Sequence, residues 1–162
     1  MIIRPAHAGD ADRITEFWNP IILTSTVSFS DILMTPATVA ELIATRRAVG
    51  HEFFVAETNG RVMGFATYVQ FRTNNGYRRT VEHTIILDPV AHGLGMGRAL
   101  MAAVEEHAAA AGHHSIFAGV SAENDAGIAF HAAVGYREVA RLSEVGWKFG
   151  RWLDLVLMQK ML

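Results

Sequence analysis

The chain has 162 residues, 51% of them hydrophobic, a formal net charge of -2 and no cysteine. That length suits one domain, residues 1–162, with a sizeable core. The composition excludes a strongly basic nucleic-acid binder, disulfides and cysteine-held metals, and no run approaches the roughly 18 apolar residues of a membrane span.

The first residues read as a short strand, followed by a helix capped by Asp10, whose Ala11, Ile14, Phe17, Trp18 and Ile21 keep helical spacing. Thr24 to Asp31 reads as a loop around Phe29. A second helix starts with Thr35 as cap and Pro36 at its first position, and Gly50 suits its end. Glu52 to Thr58 and Arg61 to Phe71 are strand-like runs joined by Asn59-Gly60, a hairpin signal. A polar loop, Thr73 to Tyr77, precedes a strand from Thr80 to Leu87, closed by Asp88-Pro89. The glycine-rich turn His92 to Gly97 leads to a helix predicted from about Arg98 to Ala111. Ser115 to Val120 is the next strand, a helix follows the turn Ser121 to Asp125, and Tyr136 to Lys160 holds two or three more strands. The stretch from Thr80 to Val120 is a βαβ unit, so its strands should lie parallel.

The turn His92-Gly93-Leu94-Gly95-Met96-Gly97-Arg98, between strand and helix, can aim backbone N–H groups and the helix dipole at a phosphate. Arg98 offers a charged contact as well. A Walker loop is excluded because no lysine follows the glycines, and the dinucleotide fingerprint because Arg98 stands where its third glycine belongs.

The turn resembles the acetyl-CoA pyrophosphate loop of the GNAT N-acetyltransferase superfamily, with His92 in place of the usual Gln or Arg. Ile3-Arg4-Pro5-Ala6, the Arg61 to Ala66 strand, Asn124 and Val134-Gly135-Tyr136 extend the resemblance over nearly the whole chain. Thr80-Val81-Glu82-His83, Phe130-His131 and Val145 to Leu155 are similar to the phosphinothricin and methionine sulfone/sulfoximine acetyltransferase branch. The resemblance implies an α/β GNAT fold: a mixed, mostly antiparallel sheet, a central parallel βαβ cofactor unit and flanking helices. It also implies acetyl-CoA as co-substrate, a small amino-acid-like amine as acceptor, a homodimer and a cytoplasmic enzyme. No metal is expected, because the eight histidines show no His-Glu-x-x-His and there is no cysteine. The opening Met1 to Pro5, which does not read as a secretion signal, agrees with that location.

Acetyl transfer from a thioester needs a neutral amine and a proton for the departing thiolate. Glu82, among Val81, Ile85 and Leu87, is the candidate base. From the resemblance, Ile85, Ile86 and Leu87 bond the pantetheine arm through their main chain, and His131 stands as general acid or as a cofactor contact. Asn124 touches the same arm or caps its helix. Arg72 and Arg78 flank Asn75, Gly76 and Tyr77 and could grip a substrate carboxylate, phosphinate or sulfone, with Phe29 as a wall. Trp147 to Trp152 suits an interface or a folded edge strand. Two other functions stay open: a GNAT enzyme for a peptide N-terminus, polyamine or aminoglycoside, and a non-catalytic acetyl-CoA sensor.

Overall fold

A computed structural model describes residues 1–162. Its strands are β1 (Ile2–Pro5), β2 (Phe53–Thr58), β3 (Arg61–Gln70), β4 (Thr80–Leu87), β5 (Ser115–Ser121), β6 (Arg137–Lys148) and β7 (Arg151–Met161). Its helices are α1 (Ala11–Thr24), α2 (Pro36–Ala48), α3 (Met96–Ala110) and α4 (Asp125–Ala133). None of them is long and apolar enough to cross a membrane. The strands form one sheet in the order β1-β2-β3-β4-β5-β7-β6. All neighbours are antiparallel except β4 and β5, as the βαβ reading requires.

Local chemistry accounts for most boundaries. Asn59 and Gly60 both take positive φ, 50° and 74°, the pair that a tight hairpin between β2 and β3 demands. Thr35 accepts a hydrogen bond from the Thr38 N–H at 3.1 Å, and Pro36 opens α2 where no N–H is needed. Asp10 does not cap α1. Its carboxylate accepts from the His7 N–H and from both Arg4 Nη atoms, because β1 places a guanidinium within reach. Helix α3 begins at Met96, two residues before the expected Arg98, since Gly95 at φ 80° already turns the chain into it.

The helices cover both faces of the sheet. On one side α1 and α2 bury Ile14, Phe17, Val39 and Ile43 against Phe53, Val55, Phe65 and Ile86. On the other, α3 buries Leu100, Met101, Val104 and Ala108, at helical spacing, against Ile116, Val120 and Met158. Side chains alternate along β4, so Glu82 and Ile86 point to the α1 side while His83, Ile85 and Leu87 point to the α3 side. The candidate site residues of one strand are thereby divided between the two faces.

Candidate active site

Strand β4 pairs with β3 down to Leu87 but with β5 only from Thr80 to His83. Beyond His83 and Ala118 the two parallel strands part. On the side that β5 has left, every second amide or carbonyl of Thr84 to Leu87 is therefore open to another chain-like partner. A cleft of about 690 Å³ fills the opening. Ile85, Ile86, Leu87, His92, Gly93, Gly95, Gly97, Arg98, Asn124 and His131 all line it, with Pro20, Ile21 and Ser25 opposite.

The turn holds Gly93 at φ 76° and Gly95 at φ 80°, and no atom lies within 4 Å of a Cβ built on either. Only glycine adopts that backbone without strain, and its bareness leaves room for a large anion at the N-terminus of α3. Gly97 is bare for another reason: a Cβ would stand 3.1 Å from the Phe130 ring, so its absence lets α3 and α4 approach. Met96 is core, and the Leu94 side chain is exposed outside the cleft, which leaves these two only a main-chain contribution to the turn. Arg98 lies at the rim with no carboxylate partner, its guanidinium donating only to the Ala133 carbonyl at 3.4 Å. These features fit a pantetheine arm along β4 and a pyrophosphate on the turn.

Asn124 is the helix cap that the sequence allows, its Oδ1 accepting from the Gly127 N–H at 2.9 Å, and it faces the cleft. His131 is 5% exposed, donates from Nδ1 to the Gly127 carbonyl at 2.7 Å and stacks on His83 at 5.0 Å. Burial lowers the pKa of both rings, that of His83 to about 3.

Glu82 lies beyond the inner end of the cleft, on the α1 face of β4. It makes no hydrogen bond or ion pair with the protein, and burial raises its pKa. Space for its carboxylate comes from Gly119 on β5, where a Cβ would stand 2.9 Å from Oε1. Phe117 is its neighbour in register and stacks on Phe71 at 4.6 Å.

The proposed substrate residues do not line the cleft. Asn75 to Tyr77 form an exposed turn beside the Phe71–Phe117 stack, pinned where Gln70 donates to the Asn74 carbonyl at 3.0 Å. Arg72 packs over Phe71 and Tyr77, 5.4 and 6.0 Å from their centroids, and has no carboxylate partner. The Arg78 main-chain carbonyl accepts from His113 Nδ1 at 3.1 Å, and its guanidinium makes no hydrogen bond or ion pair with the protein. Phe29 packs so closely on β6 that its ring lies 2.4 Å from where a Gly146 Cβ would be.

Lys148, 4% exposed, carries no role in the sequence reading. From the end of β6 it donates to the Ser25 and Ser28 carbonyls at 2.8 and 2.6 Å, tying the loop that carries Phe29 to the hairpin. The buried His83 and Tyr136 and the half-buried Glu105 carry no role in the sequence reading either, because only the fold groups them.

Residues 22–136 match the model of the acetyltransferase (GNAT) family. The L-methionine sulfoximine/L-methionine sulfone acetyltransferase of Salmonella typhimurium is 35% identical over 98% of this chain and 93% of its own. Among solved structures, a ribosomal-protein-alanine N-acetyltransferase from Brucella melitensis is 34% identical, with a TM-score of 0.96 over 100% of both chains. A phosphinothricin acetyltransferase from Sinorhizobium meliloti, solved with acetyl-CoA, is 31% identical with a TM-score of 0.93, over 99% of this chain and 88% of its own.

Proposed function

The chain belongs to the acetyltransferase (GNAT) family, and we propose that it moves the acetyl group of acetyl-CoA to the α-amine of a small amino-acid-like substrate of the methionine sulfone, methionine sulfoximine or phosphinothricin type. The observation that carries this reading is the parting of β4 and β5 beyond His83, directly upstream of the positive-φ glycine turn.

In this reading the acetyl-CoA arm runs along Ile85 to Leu87 and its pyrophosphate rests on Gly93 to Arg98. Glu82, desolvated and unpaired, takes a proton from the substrate ammonium or amine, directly or through water. The freed lone pair attacks the thioester carbonyl, the C–S bond breaks, and His131 gives the thiolate its proton. Arg72, with no internal partner, holds the substrate carboxylate, and Phe71, Tyr77 and Phe117 wall the site beside Glu82. Asn75 and Gly76 shape that turn. Arg78, at the end of that turn, adds a second positive charge.

The enzyme works as one domain in the cytoplasm and as a homodimer. The exposed Trp147, Phe149 and Trp152 at the β6–β7 hairpin supply the apolar surface for a second copy. Thiol release measured with methionine sulfone, phosphinothricin, a polyamine and a peptide beginning with alanine tests the assignment. Preference for the first two supports it, and preference for the peptide would place the enzyme with the Brucella melitensis relative.

A further inference from the structure

Seven buried side-chain nitrogen or oxygen atoms lack a hydrogen-bond partner, and five belong to four neighbouring residues. They are both ring nitrogens of His83, Nε2 of His131, the Tyr136 hydroxyl and Oε1 of Glu105. Proteins pair the large majority of such atoms, so a contiguous group of orphans needs a reason.

The group links the main cleft to a second one. His131 lines the cleft and stacks on His83, and the Tyr136 ring stands edge-on to both, at 5.4 and 5.6 Å. Lys160 Nζ lies 5.8 Å from the Tyr136 centroid and 2.6 Å from Glu105 Oε2. Glu105 and Lys160 open onto a cavity of about 350 Å³ with Arg98, Val134 and Gly135.

The Gly127 carbonyl can only accept, so the neutral His131 ring carries its proton on Nδ1 and leaves Nε2 bare. A bare nitrogen cannot protonate a thiolate. His131 must hold a second proton to do so, and burial opposes this. As the side chains stand none of these atoms bonds another; the charged form adds a donor at Nε2 beside the Tyr136 ring, and the Glu105 carboxylate favours that charge.

We infer that Glu105 is the counter-charge of His131, acting through Tyr136 as a positioning residue that lets the buried imidazole carry the proton it passes to the thiolate. This rests on the acetyl-transfer reading above. In the transfer Nε2–H breaks and S–H forms, the ring returns to its neutral Nδ1–H form, and solvent protonates it again before the next turnover. The charged or titratable groups facing the ring are His83 from β4, Glu105 and Arg98 from α3, Tyr136 after α4, and Lys160 from β7. Of these, Glu105 is the only anion. Lys160, paired to its other oxygen, weakens it.

The test is ring-nitrogen NMR of the free enzyme, which reads the His131 tautomer and titration midpoint without any cofactor. Glu105→Gln and Tyr136→Phe are expected to lower the midpoint, the first by about one pH unit. Lys160→Met is expected to raise it, a sign that loss of packing does not produce. The pH profile of kcat should move in the same directions, with KM for acetyl-CoA unchanged. A midpoint that stays put in Glu105→Gln, or moves the same way in Glu105→Gln and Lys160→Met, overturns the inference. Should Glu105→Gln fail to fold, the direction in Lys160→Met decides alone. An enzyme without acetyl transfer would refute the proposed function and still leave the midpoint to be read.

Discussion

The Glu82 carboxylate occupies the space that a side chain on Gly119 would take, 2.9 Å from its Cβ position. Glu82 and this glycine sit on adjacent parallel strands, β4 and β5, so the width of that gap sets where the carboxylate lies. Gly119→Ala should therefore displace Glu82 and lower kcat while leaving acetyl-CoA affinity intact. Glu82→Gln should cost more, about 10²- to 10⁴-fold in turnover. Steady-state rates combined with calorimetric titration of acetyl-CoA check both. Near wild-type turnover in Glu82→Gln would remove it from the mechanism.

Gly95 combines a φ of 80° with open space toward the cleft. An aspartate there would be strained and would set a negative charge against a pyrophosphate. Gly95→Asp should weaken acetyl-CoA binding at least tenfold while Tm drops only modestly. Undiminished binding would move the pyrophosphate off the turn.

Four histidines are held below their ordinary pKa, chiefly by burial: His51, His83, His113 and His131. The unfolded chain binds protons at these rings near pH 6.5, and the native protein resists. Protons thus favour the unfolded state, and stability must fall as pH drops below 6.5, for His83 down to about 3. Each such group costs roughly 1 kcal/mol per pH unit within its window. Asp10 and Asp88, with pKa values held below the ordinary carboxylate value, lose their stabilisation only at lower pH. Urea midpoints between pH 7 and 5 should decline, and His83→Phe should flatten the slope. An equal slope in that variant would exonerate His83.

Much of this architecture was legible along the chain, because the signals are local. Asn59-Gly60 marks a hairpin by its own backbone preference, and apolar spacing in α3 marks its buried stripe. The glycine-rich turn before α3 was legible for the same reason. Asp10 was misread because its strongest partner, Arg4, comes from another element. Gly97 was read as turn although it belongs to α3, where it serves helix contact with Phe130. Arg72 and Arg78 look equivalent in sequence, yet only Arg72 stacks on aromatics, over Phe71 and Tyr77. No local pattern joins Glu105 to Tyr136 and His131.

Arg72 is where substrate choice should be felt. Its guanidinium lies over Phe71 and Tyr77, and Phe71 stacks on Phe117, the register neighbour of Glu82. With no internal carboxylate to neutralise it, the cation is free to take an external one through paired N–H groups. A carboxylate held there leaves the α-amine free to turn toward Glu82, converting a collision into an oriented attack. Arg72→Ala should lower kcat/KM for methionine sulfone and phosphinothricin by about tenfold or more, the loss of one charge-assisted contact. Arg78→Ala should do less, since its guanidinium is not held on the Phe71–Tyr77 aromatics. In the wild type, amides and decarboxylated analogues should be poor acceptors, and Arg72→Ala should narrow the gap between acid and amide. If Arg72→Ala weakens acid and amide equally, the guanidinium does not read the carboxylate and only supports the aromatic wall.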